Sequence, residues 1–496
     1  GLFAVPLGRT PRPRPTAAPV SRYWRDAAPR PICPAMAQPL DDRSTLAGRL
    51  SRYARVGGTM AGVATRFAAQ RLTGGFDPAT GAADLKAALG SLKGPVMKMA
   101  QILSTVPGAL PEEYQRELAQ LQANAPAMGW PFVKRRMAGE LGPDWQERFA
   151  AFSHAAIHAA SLGQVHKALL PGGQTVAVKL QYPNMASAID ADLDQLDLGL
   201  RAIRAVDRSI DFAEIREELA DRLREELDYA LEASRMRLFA HMLAGVEGVH
   251  VPEPIAALST PRLLTMRWLP GRPLLEAAAA TDQAGRDAIA VNLFHAWYVP
   301  LHRFGVIHGD PHMGNYTARP DHSLNLLDFG CVRIFPSRFI EGVVELYRGL
   351  LAEDRDRIVH AYGLWGFAGL SAEMIEAITI WARFLYRPLL TDAVIAMEGD
   401  DFSADYGRQT AQRVHADIRR LGTVRIPREF VFMDRAAIGL GGVFMRLKAR
   451  ANWHRMFEAL IEDFTPEGLG RRQAAALEAA AGPAAATPVA VKPAPA

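Results

Sequence analysis

Two short motifs in the second half of this chain constrain its fold more than any other feature. The first runs His308-Gly309-Asp310-Pro311-His312-Met313-Gly314-Asn315, and the second is Asp328-Phe329-Gly330. Asp310 and Asn315 are five apart, and Asp328 comes eighteen after Asp310. The apolar run Leu324-Asn325-Leu326-Leu327 reads as a short strand, so Asp328 falls on a strand-to-loop turn where a carboxylate can hold a metal. Asn315 can add a neutral oxygen ligand for a second metal. Hard oxygen donors of this kind suit Mg2+, which keeps several waters and nucleotide phosphates as its other ligands. Asp310 would orient or deprotonate an attacking group. Either motif alone could be unrelated loop acids and amides. Both together, in this order and spacing, point to chemistry on ATP.

Composition narrows the classes. With 496 residues the chain can bury a large core or several domains. The net charge of +4 is small for this length, so the pI of about 9.1 does not indicate a nucleic-acid partner. Cys33 and Cys331 are the only cysteines, which gives neither a disulfide framework nor a zinc cluster and points to a reducing compartment. No run of eighteen apolar residues exists. The best candidate, Ala288 to Phe304, is broken by Asn292, His295, His302 and Arg303, so no spanning helix is expected.

Residues 1–35 are rich in Arg and Pro, with Asp26 as their one acid. They are expected to be disordered and to lie upstream of a true start at Met36. The alternative is a transit segment, against which the Pro density argues. Residues 36–135 are expected to form an N-terminal helical extension. Within it, 44–72 reads as a basic helix, either an ordinary surface helix or one lying on an anionic membrane. Residues 84–122 read as helix with Val96, Met99 and Leu103 on one stripe and Lys98 and Gln101 sharing another face.

Residues 136–270 are expected to be a small mixed lobe. A strand ends at Leu170, Pro171-Gly172-Gly173-Gln174 turns the chain, and Thr175 to Leu180 returns carrying Lys179. Helical stretches at 189–203 and from 212 follow, then strands over 249–269 ending in Met266 and Trp268. Residues 271–465 are expected to be mostly helical, and 466–496 to be a low-complexity tail.

Val176-Ala177-Val178-Lys179 on a strand after a hairpin has the form of the phosphate-binding lysine motif of protein kinases, and the two opening motifs have the layout of a kinase catalytic loop and DFG. The fold expected is therefore α+β, a protein-kinase-like two-lobe fold with a mostly helical C-lobe. Lys179 needs a carboxylate on a helix, and the helix from 212 offers Glu226, Asp228 and Glu232. Asp228 and Glu232 are i and i+4 and would share a face; Glu226 and Glu232 lie about 240° apart around a continuous helix. Glu232 is assigned to Lys179, and Glu226 calls for a second cation. Glu217, Glu218 and Glu225 read as a solvated face.

Where a kinase has a glycine-rich loop, this chain has Ala156-Ile157-His158-Ala159-Ala160-Ser161-Leu162-Gly163-Gln164-Val165-His166. With the motifs above, it resembles the UbiB (AarF) family of atypical kinases linked to ubiquinone biosynthesis, whose alanine-rich loop reads AAASxGQVH. That family's N-terminal KxGQ helix is matched by Lys98-Met99-Ala100-Gln101, with Ala for Gly, and its ExD by Glu226-Leu227-Asp228. The resemblance covers roughly residues 85–460. It implies that Lys98 pairs with Glu226, and that Lys98, Gln101, Glu226 and Asp228 gate a covered site closed to protein substrates. It further implies that Ala159, Ala160, Ser161, Gly163, Gln164, Val165, Lys179, Met266 and Trp268 contact the nucleotide.

The function expected is an ATP- and Mg2+-dependent kinase or ATPase supporting quinone biosynthesis. Asp310, Lys179 and Glu232 would be catalytic, and Asn315 and Asp328 would hold metal. Partners implied are a quinone precursor or lipid, other quinone-biosynthesis enzymes and a peripheral membrane surface. The compartment expected is the bacterial cytoplasm at the inner membrane, or the mitochondrial matrix if residues 1–35 are a transit segment. A nucleotide-binding scaffold without phosphotransfer, or a small-molecule phosphotransferase, are the alternatives. His295, His302 and His312 lack metal-ligand spacing and read as core or loop residues, and Cys331 as a buried thiol.

Overall fold

The computed structural model describes residues 127–183, apart from 160–161, and 212–481, apart from 368, 399–403 and 422–427, with positions 185, 189 and 193 between. The expectations for residues 1–126, including Lys98 and Gln101, lie outside the described residues, as do Ala160, Ser161 and most of 189–203.

The N-terminal lobe begins with α1 (Trp130–Leu141), started by Pro131 in its first turn. Phe132, Val133, Arg136 and Met137 form its buried face, at helical spacing. They pack with Trp145, Phe149 and Phe152 under one side of a sheet. The helix runs across the expected boundary at residue 135 and belongs to this lobe, because that face has its partners there. The buried Arg136 is neutralised by Glu140 at 3.2 Å, and Glu140 also takes Arg262 at 2.9 Å.

The sheet contains β1 (Ala151–Phe152), β2 (His158–Ala159), β3 (Gly163–Leu169), β4 (Thr175–Gln181) and, later in the chain, Leu263–Arg267. The β3–β4 hairpin turns through Gly173 at φ +81°, as the Pro-Gly-Gly signal leads one to expect.

The helix expected from 212 is two helices, α2 (Phe212–Leu227) and α3 (Tyr229–Met242). Asp228 breaks it by capping α3, accepting from the Leu231 N–H at 2.9 Å. Asp228 is therefore exposed while Glu232 is buried, and the shared-face argument fails because it needs a continuous helix. The strand reading of 249–269 holds only in part. β5 (Val249–His250) leaves to pair in parallel with a C-lobe strand, and Pro252 and Pro254 interrupt the run before β6 (Leu263–Arg267).

The C-terminal lobe holds β7 (Arg272–Pro273), α4 (Leu274–Ala279), α5 (Gln283–Phe304), β8 (Val306–His308), β9 (Tyr316–Ala318), β10 (Leu324–Leu326) and β11 (Val332–Ile334). There follow α6 (Ser337–Leu351), α7 (Arg355–Leu364), α8 (Ala372–Tyr386), β12 (Ile395–Ala396), α9 (Ala404–Leu421), α10 (Arg428–Leu447), β13 (Arg450–Ala451), α11 (Trp453–Ile461) and α12 (Pro466–Ala481). β5, β10, β9 and β7 form a sheet in that order, β8 pairs with β11, and β12 with β13.

The apolar stretch from Ala288 lies in α5, at the centre of the core. Ile289, Ala290, Leu293, Phe294 and Ala296 are all buried. Gly305 closes that helix at φ +65°, where a Cβ would also sit 2.9 Å from the Phe335 carbonyl oxygen, so the chain can turn directly into β8. The tail assignment from 466 is corrected: α12 buries Leu469, Ala476 and Ala480 on one face. Gln473 on it donates to the Phe304 and Phe335 carbonyls at 2.7 and 2.9 Å. Its alanines are small-residue packing, which looks like low complexity in sequence. No helix among the described residues is long and apolar enough to cross a membrane.

Candidate active site

Strand alternation decides which way Lys179 points. Val176, Val178 and Leu180 of β4 join the core under α1, while Ala177 joins the core of the C-terminal lobe. Lys179 shares the Ala177 face, because side chains alternate along a strand. Val165 is opposite Lys179 in β3, and Met266 is opposite Ala177 in β6, so both share that face.

There the Lys179 ammonium donates to both Glu232 oxygens at 2.7 and 2.9 Å and to Asp328 Oδ2 at 3.2 Å. Its Nζ lies 5.2 Å from the Tyr229 ring centroid. Burial disfavours the charge on Lys179, but the Asp328 and Glu232 carboxylates outweigh it and hold the ammonium well above the ordinary lysine range. The break at Asp228 sets the first turn of α3, and that turn aims Glu232 at the sheet.

β8–β11 pairing closes the other half. His308 lies opposite Val332, and the Gly309 N–H donates to the Cys331 carbonyl at 2.7 Å. The His308 imidazole bonds the Asp328 carbonyl, and the Leu327 N–H donates to the Asn315 carbonyl at 3.0 Å. The Asp310 loop and the Asp328 loop are thus tied at three points. Asn315 Nδ2 donates to the Asp310 carbonyl and to Asp310 Oδ2, both at 3.1 Å. That fixes the nitrogen end of the amide on Asp310 and leaves the oxygen as the donor for a cation. Asp328 Oδ1 accepts from the Gly330 N–H at 2.9 Å, and its side chain is 43% exposed. A half-open carboxylate and an oriented amide oxygen fit a hard cation that arrives with water and phosphate.

The alanine-rich turn departs from its expected role at Gln164. Gln164 is fully buried and its amide is taken up by the protein itself: Oε1 accepts from the Met128 N–H at 2.7 Å and Nε2 donates to the Met128 carbonyl at 3.2 Å. The second Nε2 hydrogen goes to His166 Nε2 at 2.8 Å, and His166 Nδ1 donates to the Ser153 carbonyl at 2.8 Å. Gln164 therefore anchors the segment before α1. At Gly163 a Cβ would sit 2.5 Å from the Leu180 oxygen and 2.7 Å from the Tyr229 hydroxyl, so glycine is demanded by packing. Gly163→Ala is expected to cost about 1–3 kcal/mol, read as a lower denaturant midpoint with an unchanged slope. Ala159 lies at the sheet rim opposite Gln164. Trp268 follows β6 and takes the Lys167 ammonium over its ring at 4.8 Å.

Residues 120–362 match the ABC1 atypical kinase-like domain. This stretch is an ABC1 atypical kinase-like domain. It is 32% identical over 304 residues to the nematode "Atypical kinase coq-8, mitochondrial" (Caenorhabditis elegans), covering 58% of this chain and 39% of that protein. It is 28% identical to rat (Rattus norvegicus) "Atypical kinase COQ8B, mitochondrial" over 91% of this chain and 87% of that protein. Among solved structures, the Rv3197–erythromycin complex from Mycobacterium tuberculosis is similar with a TM-score of 0.55 and 28% identity, over 77% of this chain and 94% of that one.

This ABC1 site also contains residues the sequence reading missed. Arg235 donates to the Gly330 carbonyl at 2.7 Å and pairs with Glu225 at 2.9 Å, while Arg333 reaches the same Glu225 oxygen at 2.8 Å. Glu225 is thus a bridge, not part of a solvated face. Burial pushes its carboxyl up, but the two arginines outweigh that and hold it below the usual range. Arg235 lies one turn after Glu232, a spacing that could have flagged it. Tyr229, buried beneath Lys179, carried no signal beyond an ordinary core aromatic. Glu226 lies half-buried on the last turn of α2; its assigned partner Lys98 is outside the described residues. No cluster of three or more His, Cys, Asp or Glu suited to a metal occurs among the described residues.

Proposed function

We propose that this chain is an ATP- and Mg2+-dependent kinase or ATPase of the UbiB type that supports quinone biosynthesis. The observation that carries the reading is the convergence of Lys179, Glu232 and Asp328 within hydrogen-bond distance, beside an Asn315 amide oriented by Asp310. In this reading Lys179 neutralises the α and β phosphates, and Glu232 holds it in place. Asp328 and Asn315 hold Mg2+, which would neutralise phosphate charge. Asp310 accepts the proton of the attacking hydroxyl or water.

Met266 and Val165, on the Lys179 face, would line the adenine, and Ala159, Ala160, Ser161 and Gly163 would pass over the phosphates. Lys98 and Gln101 would fold over the site against Glu226, with Asp228 at the same corner. The phosphate acceptor would be water or a quinone precursor or other lipid. The basic 44–72 stretch would give peripheral contact with an inner membrane, bacterial or mitochondrial, near partner enzymes of quinone biosynthesis.

The test joins two measurements on the full chain. Purified protein should release ADP from ATP only with Mg2+ present, and a deletion strain should recover its quinone level when the gene is restored. Tight ATP binding with no ADP release would favour the scaffold reading. Normal quinone in the deletion strain would remove the biosynthetic assignment.

A further inference from the structure

A cavity of about 380 Å³ lies in the C-terminal lobe among α5, α6, α8, α9 and α10. That volume is within the range of small-molecule sites, roughly 300–1,000 Å³. Its wall is aromatic and aliphatic and includes Trp297, Tyr298, Tyr362, Trp365, Trp381 and Phe430. Ile438, 47% exposed, also lines it, which places a way in beside α10.

Two polar side chains stand out in this wall. Asp434 of α10 accepts from the Trp381 indole N–H at 2.6 Å, and no lysine or arginine among the described residues pairs with it. Burial pushes its carboxyl up to about 6 against that hydrogen bond, which leaves it charged at neutral pH. His302 of α5 donates from Nδ1 to the Tyr298 carbonyl at 3.0 Å, and its Nε2 is buried with no hydrogen-bond partner. Burial pushes this imidazole down to about 4, so it is neutral there. Both groups can accept a hydrogen bond, and neither offers a further proton.

A carboxylate in apolar surroundings is costly unless it meets a cation. Aromatic faces attract the same cation through their ring quadrupoles. We propose that this cavity binds a hydrophobic amine. Its ammonium would sit against Asp434 beside the Trp381 ring, and its apolar body would run along Trp297, Trp365 and Phe430. An alcohol could satisfy the hydrogen bond but not the charge, and a carboxylate would be repelled. The far wall includes Ile307 of β8 and Trp297, whose ring lies 5.7 Å from that of His308, so an occupant would touch the back of the catalytic loop. Binding here does not depend on the nucleotide reading.

The test is calorimetric titration of the purified full chain at pH 7.5 with decylamine, 1-decanol and decanoate, below their micellar concentrations. Decylamine should bind at one saturable site at least tenfold tighter than 1-decanol, with decanoate weakest. Asp434→Asn keeps an oxygen for the Trp381 N–H and removes the charge, so the amine should fall to the affinity of the alcohol, whose own binding stays unchanged. Ala437→Phe fills the wall and should remove both. Equal affinity for the three compounds, or an amine preference that survives Asp434→Asn, would overturn the proposal. Melting temperatures show whether each variant is folded; should Ala437→Phe not fold, the Asp434→Asn comparison decides alone.

Discussion

Asp328→Asn is expected to bring Mg2+-dependent ADP release down to the rate without enzyme, a loss of about a thousandfold or more on the scale of removed phosphoryl-transfer groups. The substitution separates structure from chemistry. Asn keeps an oxygen to accept from the Gly330 N–H, now at 2.9 Å, so the turn after β10 should persist. It removes the charge that a hard cation requires. Lys179 keeps both Glu232 contacts, so its ammonium stays in place. The melting temperature should therefore stay within a few degrees of wild type, and ATP binding without Mg2+ should be nearly unchanged. An unchanged rate of ADP release in the variant would sink the metal assignment and, with it, the enzyme reading.

How much of this was legible in the sequence depended on the range of each interaction. The Asp310–Asn315 contact is local, fixed by a five-residue loop, and the motif contained it. The β3–β4 hairpin was legible because its turn chemistry is local too. Lys179 with Glu232 crosses 53 residues, yet it was legible because Lys179 sits in a recognisable motif that demands a helix carboxylate, and the helix from 212 offered only a few. Gln164 was misread because its motif names a nucleotide loop, while its amide answers to the backbone at Met128, 36 residues away. Glu225 was misread for a related reason: a charged helix face looks solvated until Arg235 and Arg333 are folded against it. Asp228 shows the limit of periodicity. The pattern of apolar residues runs on through 212–231, but an Asp that can cap the next turn ends one helix and starts another. The α12 alanines reversed the usual rule, since composition alone cannot tell a small-residue packing face from a tail.

Lys179→Ala is expected to lower nucleotide turnover by about a thousandfold and to weaken ATP binding as well, which distinguishes it from Asp328→Asn. The ammonium is the described cation that joins Glu232 of α3 to Asp328 of the C-terminal lobe. Without it two carboxylates share a pocket with no counter-charge, and Glu232 is almost fully buried. Burial already pushes the Glu232 carboxyl up, and loss of the ammonium removes the main influence that holds it down.

The wild type should behave differently with pH. Its Lys179 is raised in the folded state, so the stability it contributes is fully present below the unfolded value of about 10.4 and is lost only as pH rises through the still higher folded value. Wild-type ATP affinity should therefore show no alkaline fall between pH 7 and pH 9. A fall in that window, matched by lost affinity in Lys179→Ala, would mean that burial has pushed the lysine below its ordinary value and that the Glu232–Asp328 pair does not hold the ammonium. Turnover in Lys179→Ala equal to wild type would remove the phosphate role altogether.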